Sequence, residues 1–211
     1  MKMFKDSDFD IFKVEGLEPR MVEIRAHIQP IFQELDDYFA EKIQAEIGEA
    51  TFVHIAQHRR RTAYAPENTW SAISLQKRGY KMEPHFQLGI WGEYVFMYLS
   101  VIDQPKGKVA IAESWLAHLD DFSKLSTDFV FSKDHTVPDY FPATSEEVEK
   151  ALTRLRDVKK GEFEIGRVIP RGAEIFQTPE KARNFMWETY KQLLSIYNLG
   201  LIAQKEELLD N

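Results

Sequence analysis

The stretch of sequence that decides the fold runs from His85 to Ile102 and reads HFQLGIWGEYVFMYLSVI. In its first half, apolar side chains recur at every second position, at Phe86, Leu88 and Ile90, which is the period of a β-strand with one buried face. A second apolar run, Glu93 to Ile102, follows directly after a single glycine. The two runs predict an antiparallel hairpin, because a short glycine-containing connection joins neighbouring antiparallel strands.

Further strands are predicted on both sides of this hairpin, where a period of two or a short apolar run lies between turn residues. They cover residues 51–58, 70–76, 128–132 and 161–169. Glu162 and Glu164 share one face of the last of these strands. We interpret the two carboxylates as a solvated pair at a sheet edge, where charged side chains are common.

Helical spacing dominates the two ends of the chain. A long helix is predicted from Pro19 to residue 47, and Pro30 is expected to kink or divide it, because proline removes a helix hydrogen bond and clashes with the preceding turn. Shorter helices are predicted near residues 109–119 and 145–155, and a last helix follows Thr178. The pattern predicts an α+β fold, with a single mixed, mostly antiparallel sheet flanked by helices in one domain over residues 1–211.

The composition is that of an ordinary globular protein. The chain has 211 residues, of which 44% are hydrophobic and 29% are charged, so collagen-like and disordered classes are excluded. It contains no cysteine, which excludes disulfides, thiolate catalysis, iron–sulfur clusters and cysteine-ligated zinc. The first residues include no apolar segment of the kind found in signal peptides, and the chain has no apolar run of about 20 residues. We therefore expect a cytoplasmic protein that does not enter the membrane.

Charge is distributed unevenly along the chain. The formal net charge is −7, which argues against a general nucleic-acid binder, because a phosphate backbone repels that sign at long range. Between His54 and His85, however, the sequence contains six basic residues and only two acidic ones, so this window carries a charge of +4 and the remainder a charge of −11. The cationic character of the protein is therefore local.

The sequence lacks the strongest catalytic and cofactor motifs. It contains no GxGxxG, GxxxxGK[ST], HExxH or GxSxG, which removes the usual support for nucleotide-fold, zinc-protease and serine-hydrolase functions. On the predicted strand, His54 and His58 are four residues apart, or about 13 Å, which is too far for one shared ion. His85, Asp134 and His135 add possible ligands whose spacing does not make them converge. We expect no metal and no other cofactor.

The phase of the strands predicts a polar face. If Phe86 and Leu88 point toward the core, alternation sends the nearby histidines and Gln87 to the opposite face, where cationic side chains flank the strand ends. Imidazole and amide groups donate or accept hydrogen bonds there, and guanidinium forks suit phosphate or carboxylate. The candidate ligand-binding residues are His54, His58, Arg60, Arg61, Lys77, Arg78, Lys81, His85 and Gln87. A ligand ring can stack on neighbouring aromatics, namely Trp70, Tyr80 and Trp91; alternatively, the face is a solvated surface and the aromatics are core residues.

Several stretches of the chain resemble a known family. These are VEGLEPRM at 14–21, FVHIAQH at 52–58 with Arg60 and Arg61, KRGYK at 77–81, PHFQLG at 84–89, DH at 134–135 and VKKGE at 158–162. Together they resemble the YktB-like family of uncharacterised bacterial proteins, nearly end to end. The resemblance implies a compact α+β domain with a mixed sheet flanked by helices and implies no particular activity.

Three functions are consistent with these residues. The first is a binding module for an anionic small molecule, either phosphorylated or nucleotide-like, on the polar face. The second is a hydrolase at the same face, in two versions. Either His54 or His85 exchanges a proton without a metal, or His54, His58 or His85 holds a metal together with Asp134 and His135. The third is an RNA or DNA contact protein, which ranks lowest because the sequence has no RRM, KH or helix-turn-helix signature.

Overall fold

The computed structural model describes residues 1–210, and its centre is one sheet of seven strands. All strand pairings are antiparallel, and the order across the sheet is β1-β2-β3-β4-β7-β5-β6. The strands are β1 (Phe52–Ile55), β2 (Asn68–Ser74), β3 (His85–Trp91), β4 (Tyr94–Val101), β5 (Val130–Ser132), β6 (Phe141–Pro142) and β7 (Phe163–Pro170). The predicted α+β class, the antiparallel sheet and the β3–β4 hairpin are confirmed.

Seven α-helices accompany the sheet in the described part of the chain. They are α1 (Asp6–Phe9), α2 (Leu17–Glu23), α3 (Gln29–Ile47), α4 (Lys108–Ala117), α5 (Leu119–Ser123), α6 (Ser145–Asp157) and α7 (Pro179–Asp210). A π-helical turn, Ile24–Ile28, joins α2 to α3 immediately before Pro30, so the long helix is divided where the sequence predicts it. Within residues 1–210, none of these helices combines the length and apolarity needed to cross a bilayer.

The main hydrophobic core lies between the helices and one face of the sheet. Its side chains come from positions as far apart as Met3 and Leu201. Phe86 of β3 illustrates the packing, because its ring centroid lies 5.1 Å from that of Tyr190 and 4.6 Å from that of Tyr197, both on α7. Each buried side chain of this size contributes roughly 1.5–3 kcal/mol of transfer free energy, so this face of the sheet anchors the fold.

The opposite face of the sheet carries a second apolar cluster, formed by Trp91, Tyr94, Phe96 and Tyr98 with Trp70, Val130 and Val168 packed against it. We call this face the aromatic face. Two segments approach it. Tyr80 of the 3-10 turn Tyr80–Met82 accepts a hydrogen bond from Trp70 Nε1 at 2.9 Å, and the Tyr94 hydroxyl donates to the Pro138 carbonyl at 2.7 Å. The rings are thereby held between strands and loops.

One predicted strand end is wrong. β1 ends at Ile55, and His58 lies beyond it with a φ of 50°, in the left-handed region. The extended spacing predicted between His54 and His58 therefore does not exist. The chain turns here because β1 is an edge strand whose pairing with β2 stops near Ala56, where the last N–H donates to the Trp70 carbonyl at 3.0 Å.

Candidate functional site

A row of polar side chains crosses the aromatic face near one end of the strands. The register places His85 of β3 opposite Ser100 of β4, Ser100 opposite Glu164 of β7, and Glu164 opposite Ser132 of β5. Antiparallel partners share a face, so these side chains are neighbours. Gln87 lies on the same face, between Ala72 and Tyr98.

His85 is buried, with 0% of its surface exposed, and both ring nitrogens are engaged. Its Nδ1 lies 2.9 Å from the Glu83 carbonyl, and its Nε2 lies 3.0 Å from Gln87 Nε2. A carbonyl can only accept, so Nδ1 carries the proton and Nε2 accepts from the Gln87 amide. Burial lowers the pKa of His85 to about 4, which keeps the ring neutral. His85 is therefore a fixed neutral ring that holds Gln87.

The other two predicted histidines are also bound to neighbouring strands. His54 Nε2 lies 3.0 Å from Ser74 Oγ and 2.9 Å from the Gln76 carbonyl, and burial lowers its pKa. His58 Nε2 lies 3.0 Å from Thr69 Oγ1, and burial, reinforced by nearby cations, lowers its pKa to about 4. The two rings thus use their Nε2 atoms on different partners and do not converge on one point.

The predicted cations separate into two groups. Lys81 belongs to the site, since its Nζ lies 2.6 Å from Asp103 Oδ2 and 5.5 Å from the centre of the Trp70 ring. Arg61 lines a cavity above the aromatic face. The remaining three, Arg60, Lys77 and Arg78, are exposed side chains that line none of the cavities described below, and Lys77 packs over Phe52.

The interpretation of Glu162 and Glu164 as a solvated edge pair is wrong. β7 lies inside the sheet, between β4 and β5, so Glu164 is buried and Glu162, just before β7, is half-buried. Glu164 is almost fully buried, its Oε2 accepts from Ser100 Oγ at 2.7 Å, and burial raises its pKa to about 7. Glu162, the residue immediately before β7, has its Oε2 2.7 Å from His135 Nδ1, so the start of β7 and the residue before it bring two acidic groups to the polar row.

His135 and Glu162 form an ion pair inside the site. Burial works to lower the pKa of His135, but the hydrogen bond and charge of Glu162 outweigh it, and the pKa is raised. Burial works to raise the pKa of Glu162, and His135 brings it below the usual value. Each group therefore favours the charged form of the other.

One cluster has the ligand types of a metal site. Asp103, His135 and Glu162 each present a ligand atom, and these atoms lie within 4.8 Å of one another. Asp103 is already neutralised by Lys81, and Glu162 is neutralised by the His135 proton. A divalent cation bound there must displace the ammonium group and the proton, so the arrangement is that of two adjoining ion pairs.

Two cavities open over the aromatic face. The outer cavity has a volume of about 310 Å³, and its lining residues are Arg61, Tyr64, Ala65, Glu67, Asn68, Trp70, Trp91, His135 and Thr136. A chamber of about 10 Å³ lies beneath it, which is about the space that one water molecule occupies. The two share the walls Asn68, Trp70, Trp91 and His135, and the chamber also reaches Gln87, Tyr98, Ser132 and Glu164. We call them the outer cavity and the inner chamber.

Several residues of the site were not among the predicted ones, including Asn68, Tyr98, Ser100 and Asp103. Ser100 carries a weak signal in the sequence, because it is the one polar residue in the apolar run from Val95 to Ile102. Asp103 lies in a loop with a positive φ of 57°, which single-residue patterns do not indicate. Asn68 and Tyr98 are recognised as site residues only because they line the cavities.

Comparison with known proteins identifies the family. Residues 4–197 match the family model described as a domain of unknown function, DUF1054. A UPF0637 protein of Enterococcus faecalis is 60% identical over 95% of this chain and 99% of its own length. The UPF0637 protein YsbB of Lactococcus lactis is 52% identical over 92% of this chain and 97% of its own length, and a UPF0637 protein of Lysinibacillus sphaericus is 41% identical over 92% and 93%. The chain therefore belongs to the DUF1054 family, whose relatives carry the name UPF0637.

Proposed function

We propose that the protein binds a small molecule that combines a planar ring with one anionic group, such as a mononucleotide, in the outer cavity. The observation that carries the proposal is the pairing of two tryptophans with one unpaired guanidinium group around about 310 Å³ of open space. Small-molecule sites typically have volumes of about 300–1,000 Å³ and combine aromatic walls with a few polar groups.

The aromatic wall is held in place before any ligand arrives. Trp70 donates to the Tyr80 hydroxyl at 2.9 Å, and its ring contacts His58 and His135 edge to face, with centroids 5.6 and 6.2 Å apart. Lys81 lies over the same ring. A side chain fixed from several directions loses little entropy when a ligand stacks against it, which favours binding.

The charge of the outer cavity supports a ligand with one anionic group. Arg61 is exposed, and its guanidinium makes one long hydrogen bond, 3.3 Å to the Tyr64 carbonyl, and no ion pair within residues 1–210. Its free N–H groups suit a phosphate or carboxylate. Glu67 lines the same cavity and repels a polyanion, which disfavours RNA or DNA as the occupant.

The first prediction concerns Arg61. We expect AMP or GMP to quench tryptophan fluorescence and to raise Tm, because Trp70 and Trp91 line the cavity and a ligand of the native state stabilises it by mass action. Inorganic phosphate and adenosine, each lacking one half of the proposed ligand, should bind more weakly. Arg61→Ala should weaken mononucleotide binding about tenfold, or about 1.4 kcal/mol.

Arg60→Ala is the matched control, since it removes the same charge from an exposed neighbour that does not line the cavity. Its mononucleotide affinity should remain within about twofold of the wild type. Equal losses in the two variants would show a general charge effect and contradict the proposed site. Absence of any mononucleotide binding at millimolar concentration would contradict the proposed function itself.

The buried carboxyl of Glu164 favours a second function, acid–base catalysis on the bound molecule. A group whose pKa lies at about 7 both accepts and donates protons at neutral pH, and Glu164 lines the chamber beneath the outer cavity. If a screen of nucleoside phosphates detects turnover, Glu164→Gln should reduce kcat at least a hundredfold, whereas Glu67→Gln should not. Turnover that survives in Glu164→Gln would remove this residue from the mechanism.

We place this function in the cytoplasm. The absence of cysteine from the chain fits a reducing compartment.

A further inference from the structure

The inner chamber contains a buried hydroxyl group that the protein does not use. Tyr98 has only 2% of its surface exposed, and its hydroxyl has no hydrogen-bond partner within the described chain. The ring is positioned by stacking on Phe96, with centroids 4.8 Å apart and an interplanar angle of 26°. A buried polar group without a partner is costly, so its retention indicates a partner from outside the chain.

Two further polar side chains of the chamber are available. Asn68 has 6% of its surface exposed, makes no side-chain hydrogen bond within residues 1–210, and lines both the chamber and the outer cavity. Glu164 uses its Oε2 for Ser100 and lines the same chamber. Together with Tyr98 they give the chamber a phenol oxygen, an amide oxygen and a carboxyl group.

The geometry points to a ligand ring that carries a primary amino group, which enters the inner chamber and donates its two N–H groups to oxygens among those of Tyr98, Asn68 and Glu164. This inference rests on the proposed function and adds to it the chemical class of the ring. The chamber's volume of about 10 Å³ admits one non-hydrogen atom, and the shared walls place that atom beneath a ring lying between Trp70 and Trp91.

An amino group fits the chamber better than other groups of its size. Each of the three side chains has an oxygen that accepts a hydrogen bond, and an amino group on an aromatic ring supplies two N–H donors. A methyl group of the same size leaves Tyr98 and Asn68 without partners and offers Glu164 no hydrogen bond beyond that from Ser100. A ring carbonyl leaves the Glu164 carboxylate, when ionised, opposite another acceptor, which is repulsive.

The test compares ligands that differ only in the amino group. GMP and IMP form one such pair, and AMP and purine riboside 5′-monophosphate form another, with binding followed by tryptophan fluorescence. In the wild type, at least one amino ligand should bind about tenfold more tightly than its partner without the amino group. Tyr98→Phe should reduce that ratio to about threefold or less and leave the affinity of the amino-free ligand unchanged.

Tyr98→Phe is expected to fold with an unchanged or slightly higher Tm, since the hydroxyl it removes has no hydrogen-bond partner among residues 1–210. Glu164→Gln provides a second variant, which should also reduce the ratio. Tyr197→Phe, which alters a buried tyrosine of the main core on the helix side of the sheet, should keep the wild-type ratio.

The outcomes separate this inference from the proposed function. If mononucleotides bind and depend on Arg61, but both members of each pair bind equally, the chamber holds only water and the inference is overturned while the proposed function stands. If the ratio persists in Tyr98→Phe and Glu164→Gln, the amino group is recognised elsewhere and the inference is also overturned. If no mononucleotide binds, both are overturned.

Discussion

Replacing Gly166 with alanine should destabilise the protein by about 3 kcal/mol or more. Gly166 lies in β7 opposite Tyr98, and a Cβ built there overlaps the Met97 carbonyl oxygen and lies 2.9 Å from the Tyr98 ring. The first contact is with backbone, so it can be relieved only by moving β4 and β7 apart in the middle of the sheet. Urea unfolding of the wild type and the variant measures the difference in the free energy of unfolding.

Gly92→Ala is the matched control for this prediction. Gly92 lies in the turn between β3 and β4, and a Cβ built there meets no atom within 4 Å. Its φ is not positive, so alanine introduces no backbone strain, and the change in unfolding free energy should stay within about 1 kcal/mol. Similar small effects of both substitutions would show that β4 and β7 tolerate separation at Tyr98 and would contradict the packing described for the aromatic face.

The sequence predicts the sheet well where one strand face is apolar and the other polar. β3 is the clearest case, since the predicted strand from His85 to Trp91 has the same bounds in the structure. The long helix is also found where its apolar stripe and Pro30 indicate it. Prediction fails at the end of β1, because the residues up to His58 keep the strand pattern although the chain leaves β2 after Ile55, while β2 itself continues to Asn68.

The site is less predictable than the fold, because the local periodicity of a sequence does not indicate the order of the strands in a sheet. Glu162 and Glu164 have the pattern of an edge strand, and only the insertion of β7 between β4 and β5 buries Glu164 and half-buries Glu162. His135 is separated from Glu162 by 27 residues, and the sequence gives no sign that they pair. Nothing in the sequence distinguishes Arg61 from Arg60 or Arg78 as a binding residue. The course of the loop brings only Arg61, of these three, to the outer cavity.

Asp36 lies on the other side of the sheet and is the second residue with a large expected effect. It is fully buried in α3, and neither carboxylate oxygen has a hydrogen-bond partner within residues 1–210. Burial raises its pKa from 3.8 to about 7, and the nearby Ser71 hydroxyl opposes this shift only in part. The group is therefore neutral in the folded protein over a range in which the unfolded chain has already lost the proton.

This difference makes the stabilising contribution of Asp36 depend on pH. Below about pH 4 the carboxyl is protonated in both states, and its contribution is fully present. As pH rises toward 7, the unfolded state binds fewer protons than the folded state, so stability falls, and above about pH 7 the loss is complete. A shift of about three pKa units corresponds to about 4 kcal/mol.

Asp36→Asn should therefore gain about 4 kcal/mol of stability relative to the wild type between pH 4 and pH 8, measured by urea unfolding at each pH. The measured quantity must be the difference in unfolding free energy between variant and wild type at each pH, because other groups also make stability depend on pH. Titration of Glu164 lowers stability as pH rises over the same range, whereas titration of the buried His58 and His85 raises it. These contributions are common to both proteins and cancel.

Asp37→Asn is the matched control, because it removes the same charge from the exposed neighbour in α3. Its free energy of unfolding, plotted against pH, should run nearly parallel to that of the wild type. If the free energy of unfolding of Asp36→Asn also runs parallel to that of the wild type, the Asp36 carboxyl ionises as easily in the folded protein as in the unfolded chain. The packing around α3 then does not exclude water from it.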